Sequence, residues 1–89
     1  MNPEEIDLRE VSFTGELLSC VPGKFARRYR VLPIGNSRDE LLLAMADVSD
    51  LEAIDSIRRL VGRDVAVSVA EAEQLDEFIG RLYGEANGP

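Results

Sequence analysis

The sequence has no histidine and only one cysteine, Cys20. Without histidine, Ser-His and Cys-His catalysis, histidine-bound zinc and the usual proton shuttle near neutral pH are excluded. A single thiol makes neither an internal disulfide nor a CxxC metal site. Cys20 sits beside Val21 and reads as a small buried hydrophobe. No apolar run approaches the roughly 20 residues that a spanning helix needs. The start of the chain carries Glu4, Glu5 and Asp7, the wrong sign for a secretory signal. The chain therefore reads as cytoplasmic. Gly23-Lys24 lacks the upstream glycine of a phosphate loop, and Phe25 stands where the magnesium-holding Ser or Thr belongs. Asp47, Asp50 and Asp55 lack the alternation and the turn glycine of a calcium loop; Val48 and Leu51 interrupt them. No enzyme activity, metal or cofactor is expected.

What remains is one domain. Eighty-nine residues fit a single unit, and 45% hydrophobic content is normal for a packed core. The polar residues 1–5 and the tail 85–89 read as loose ends around a domain at 6–84. The net charge is −7. An acidic surface is repelled by nucleic acid and by anionic membranes.

Local signals then order the chain. Ile6 to Leu18 keeps no clean period and reads as an arm packed over the core, with a short helix opened by Thr14 or Gly15. Pro22 starts a second short helix, where a missing N–H does no harm. Val31–Ile34 and Leu41–Ala46 read as a hairpin around the turn formers at 35–40. Pro33 suits an edge strand or a bulge, and the nearly unbroken apolar run at 41–46 suits a strand buried on both faces. Ser49-Asp50-Leu51-Glu52 has capping-box form and predicts a helix from Ser49. Its buried stripe is expected at Leu51, Ile54, Ile57, Leu60 and Val61, with Gly62 as a left-handed stop. Val65, Val67 and Val69 alternate as a strand. Ala72, Leu75, Phe78, Ile79, Leu82 and Tyr83 keep helical spacing. Gly80 interrupts that helix, which suggests a close helix contact, packing within the domain ahead of contact with a partner. The predicted fold is α+β: a three-stranded mixed sheet with two helices on one face, preceded by a short helical segment.

One local feature opposes the overall charge. Lys24, Arg27, Arg28 and Arg30 concentrate positive charge on the second short helix. Such a patch steers an acidic partner or grips an anion. The competing reading is ion pairing with the domain's own acids. The four residues are the candidates for partner or anion binding.

The segments "VPGKFARRYRVLPIG", "LLLAMADVSDLEAIDSIRRLVGRDV" and "LDEFIGRLYG", with "IDL" ahead of them, follow a familiar order and spacing. From Leu18 to Tyr83 the chain resembles the N-terminal domain of type II secretion and type IV pilus assembly ATPases. That resemblance implies a non-catalytic docking and regulatory role, toward a cytoplasmic platform protein or the motor domain, with recruitment to the inner membrane through that partner. In a related branch a longer version binds cyclic di-GMP through paired helical motifs upstream of the "IDL" segment. Only five residues precede Ile6 here, so those motifs are not expected in this chain. A cyclic di-GMP sensor built on the arginine cluster is the alternative reading. The Walker motifs of the motor domain are also absent.

Overall fold

The structure, a computed structural model, describes residues 5–84. The expectation of loose ends falls largely outside these residues. Glu5, which it included, is paired in a strand.

The elements in chain order are β1 (Glu5–Ile6), a 3₁₀ turn (Leu8–Glu10), α1 (Gly15–Leu18), α2 (Gly23–Tyr29), β2 (Val31–Asn36), β3 (Glu40–Met45), α3 (Leu51–Val61), β4 (Asp64–Ala70) and α4 (Ala72–Tyr83). The α+β class holds, but the sheet has four strands, in the order β1-β4-β3-β2, rather than three. The added strand is β1, parallel to β4 through Glu5 opposite Val69 and Ile6 opposite Ala70. Two residues are too few to show alternation, so this strand leaves no periodic trace in the sequence. β2 and β3 form the antiparallel hairpin, and β3 and β4 run parallel across α3.

Several local signals act as predicted. The Thr14 side chain accepts from Leu17 N–H at 3.0 Å and caps α1. Pro33 lies on an edge strand, and a bulge separates it from Gly35. Gly62 ends α3 at φ 73°. Leu41, Leu43 and Met45 project from one face of β3 and Ala44 from the other, and all four are buried. The central strand is thus covered on both faces. α4 packs across β2 and β3, α3 against β4, and α1 and α2 against β2. Leu8, Val21, Leu32 and Ile57 complete the core with no solvent exposure. Each such side chain contributes about 1.5–3 kcal/mol of burial.

α3 departs from expectation twice. Its cap is Asp50, whose carboxylate accepts from Ala53 N–H at 3.2 Å, and not Ser49. The Ser49 hydroxyl instead donates to Asp47 Oδ1 at 2.6 Å. The buried residues are Ala53 and Ile57, while Leu51 is 72% and Leu60 40% exposed. The reason is geometric. A strict spacing of three falls short of a 3.6-residue turn by about 60° per step. Over Leu51, Ile54, Ile57 and Leu60 that drift carries the two end residues to opposite sides of the helix.

Candidate partner-binding surface

α2 carries the basic cluster. Pro22 precedes its first turn, and the carbonyl of Pro22 accepts from Phe25 and Ala26. Ala26 faces the core and is fully buried. Phe25 and Tyr29, four residues apart, stack with ring centroids 6.4 Å apart. Arg30 ends the helix in the left-handed region at φ 55°, its N–H bonded to the Ala26 carbonyl. Glycine usually fills that position, and a side chain there carries strain.

Two of the four basic residues are engaged within the domain. Arg30 meets Asp76 of α4 in a two-pronged pair, Nε to Oδ1 at 3.0 Å and Nη2 to Oδ2 at 2.6 Å. Arg27 Nη2 donates to the carbonyls of Gly84 at 2.7 Å and Tyr83 at 3.3 Å. A guanidinium there satisfies carbonyls left unpaired at a helix C-terminus and opposes the negative end of its dipole. Arg28 lies over the Tyr29 ring at 5.4 Å. Lys24 and Arg28 are exposed and form no ion pair among the described residues. The cluster therefore divides. Arg27 and Arg30 tie α2 to α4, and Lys24 and Arg28 face solvent.

The Tyr83 hydroxyl donates to the Leu18 carbonyl at 3.2 Å. Burial, with a smaller contribution from nearby Cys20, pushes its pKa up to about 12. Gly23 permits this closeness, because a Cβ there would lie 3.3 Å from both Tyr83 and Arg27. Between α2 and α4 runs an open groove of about 290 Å³, lined by Arg27, Arg30, Asp76, Ile79 and Gly80. Among the described residues Gly80 makes no close packing contact within the domain, where the sequence reading favoured one. A Cβ at that position would meet nothing within 4 Å.

The remaining candidates have structural roles. Asp47 holds Ser49, Asp50 caps α3, and Asp55 pairs with Arg58 and Arg59. Cys20 is half-buried, its thiol directed at the Glu16 carbonyl at 3.7 Å. One linkage had no signal in the sequence. Gln74 on α4 accepts from Leu8 N–H at 2.9 Å and donates to Asp7 at 3.2 Å, fixing the arm that follows β1. Arg9 adds three bonds to Asp7, two from its guanidinium at 2.7 and 3.0 Å and one from its backbone N–H at 3.0 Å, and these are the stronger influence on the carboxyl. Together these hold the Asp7 carboxyl well below the usual carboxylate range.

This is a small α+β domain in which Lys24 and Arg28 stand exposed on a helix braced against α4. Residues 3–89 match the MshEN domain family. The type IV pilus assembly ATPase PilB of Myxococcus xanthus (strain DK1622) is 30% identical over 84 residues, covering 94% of this chain and 15% of that protein. The type II secretion system protein E of Xanthomonas campestris pv. campestris is 31% identical over 84 residues, covering 90% of this chain and 15% of the relative. A solved structure of MshE with cdg superposes with a TM-score of 0.79 at 31% identity, covering 89% of this chain and 58% of that one. The chain belongs to the MshEN family of N-terminal domains of type II secretion and type IV pilus assembly ATPases. It spans about 15% of the length of either curated relative, and the ATPase motor domain is not in it.

Proposed function

We propose that residues 6–84 form a non-catalytic docking and regulatory domain that engages a cytoplasmic platform protein, or the motor domain of its own ATPase. Family membership across residues 3–89 carries this reading. The cytoplasm is its place of action, with recruitment to the inner membrane through the partner. No helix among the described residues is long and apolar enough to cross a membrane itself. Lys24 and Arg28 steer an acidic partner face, because a local positive patch raises association rates most at low salt. The test is association kinetics of the 89-residue chain with the cytoplasmic domain of the platform protein from the same system. The Lys24→Ala/Arg28→Ala double variant should associate several-fold more slowly at low ionic strength and lose most of its salt dependence. An unchanged association rate removes the steering role.

A second reading follows from the relative solved with cdg. Cyclic di-GMP carries two phosphates, and arginine grips phosphate through paired N–H groups. Arg27 and Arg30 border the groove between α2 and α4. Binding there requires Arg30 to leave Asp76. Titration calorimetry with cyclic di-GMP decides: no saturable heat rejects the sensor, and saturable heat that is lost in Arg30→Ala while its circular dichroism and Tm match the parent's supports it.

A further inference from the structure

Among the described residues the exposed large apolar side chains are Val48, Leu51 and Leu60. A single exposed leucine is ordinary on a protein surface. Val48 and Leu51 are not isolated, because the whole run from Asp47 to Glu52 is exposed. This run is the corner between β3 and α3, and Leu51 is the first residue of the helix. Leu51 is 72% exposed, so most of its surface is still in contact with water. It has no evident task inside the domain. Asp50 caps α3, and Ala53 and Ile57 form its buried face. The surround is acidic. Asp47, Asp50 and Glu52 form no ion pair among the described residues. From Asp39 to Ile57 the chain has no lysine or arginine. The next cations along α3, Arg58 and Arg59, are drawn to Asp55. The corner also lies at the end of the sheet where the basic helix stops, since Val31, just past α2, pairs with Met45, just ahead of the corner.

We propose that Leu51, with Val48 beside it, is the apolar anchor of a docking surface whose occupant is a partner segment carrying a large apolar residue between Lys or Arg residues. Burying an exposed leucine against such a residue removes apolar area from water on both sides. The acids around it then meet cations of opposite sign at the rim of the contact. Charge selects this occupant over the others. A symmetric pair of copies would put the same patch on both sides. It would set Asp47, Asp50 and Glu52 against their own counterparts, on top of a net −7 on each molecule. Residues 1–4 and 85–89 hold no lysine or arginine, so the chain's own ends do not match the acidic rim. The anchor and the basic helix act on different rates. Exposed charge governs arrival, and a buried apolar anchor governs how long the complex lasts.

This proposal rests on the docking reading and names a surface for it. The test is binding kinetics of the 89-residue chain with the cytoplasmic domain of the platform protein, resolved into association and dissociation rates. Leu51→Ala should dissociate about tenfold faster or more, with an association rate within about twofold of the parent's. Because Leu51 is exposed, the free variant should keep the parent's Tm to within about 4 °C. Leu60→Ala, on the opposite side of α3, should keep both rates although it removes the more buried side chain. Glu52→Lys should weaken binding several-fold at low ionic strength. Saturable binding with an unchanged dissociation rate in Leu51→Ala overturns the anchor and leaves docking to another face. A Glu52→Lys chain that binds as tightly as the parent overturns the basic occupant. No binding at any concentration overturns the docking reading, and this proposal with it. A mass in sedimentation that rises with concentration for the parent and not for Leu51→Ala would assign the patch to a second copy, overturning the foreign segment.

Discussion

A methyl group added at Gly80 meets nothing within 4 Å, and the backbone there lies inside α4 without a positive φ. Alanine can adopt that conformation freely. Glycine inside a helix costs about 0.8–1.0 kcal/mol relative to alanine, chiefly through unfolded-state entropy. No clash subtracts from the gain. Gly80→Ala should therefore stabilise the domain by close to that amount, which raises Tm by about 4–8 °C at this size. Gly62 is the control. It too has open space where a methyl would sit, but its φ is 73° and its N–H closes α3 onto the Arg58 carbonyl at 2.9 Å. The only penalty at Gly62 is conformational, about 1–2 kcal/mol for an L-residue forced left-handed. The same chemical change at two sites should thus move stability in opposite directions, separating the variants by roughly 2–3 kcal/mol. Urea unfolding followed by far-UV circular dichroism reads this directly, provided the slopes agree. A lower midpoint for Gly80→Ala would refute the reasoning, because it would require a contact at Gly80 that the geometry lacks. An unchanged midpoint for Gly62→Ala would mean that the left-handed stop does not hold the end of α3.

Two further perturbations probe capping and the N-terminal arm. Asp50→Ala should cost about 1 kcal/mol through loss of the α3 cap, while Ser49→Ala, which removes only an exposed bond to Asp47, should cost less than half as much; equal losses in thermal unfolding would return the cap to Ser49. For Asp7, the Arg9 side-chain bonds lower the folded pKa, so its contribution is complete above the unfolded value of about 4 and is lost as pH falls toward the folded one. The difference in urea midpoint between the parent chain and Asp7→Asn should be present at neutral pH and close in acid; a difference that widens in acid would contradict the sign.

What the sequence revealed depends on how far away the deciding partner sits. Thr14, Pro22, Pro33 and Gly62 act on their own few neighbours, and each behaves as its residue type predicts. Ser49 and Asp50 are adjacent residues of equal capping ability. The choice between them falls to Asp47, which takes the serine hydroxyl. β1 gains strand character only by meeting Val69 and Ala70 at the far end of the chain. The basic cluster is visible as charge, but its division is not, because Asp76 and the α4 carbonyls reach it only after folding. Gly80 misleads for the same reason. Apolar flanks suggest packing, and only the folded chain sets that side of α4 over an open groove.

The division of the cluster decides how its function can be tested. α2 has only seven residues, too short to persist as an isolated helix in water. Its position comes from the buried Ala26 and from its ties to α4 through Arg27 and Arg30. Removing either arginine takes away a charge and loosens the helix that displays the others. A partner that then binds poorly would not show which loss mattered. Lys24 and Arg28 take no part in that brace: neither forms an ion pair among the described residues, and the Arg28 guanidinium lies over the Tyr29 ring of the same helix. Charge removed at those two positions leaves the brace between α2 and α4 in place, and the salt dependence of the association rate separates electrostatics from the lost contact with Tyr29.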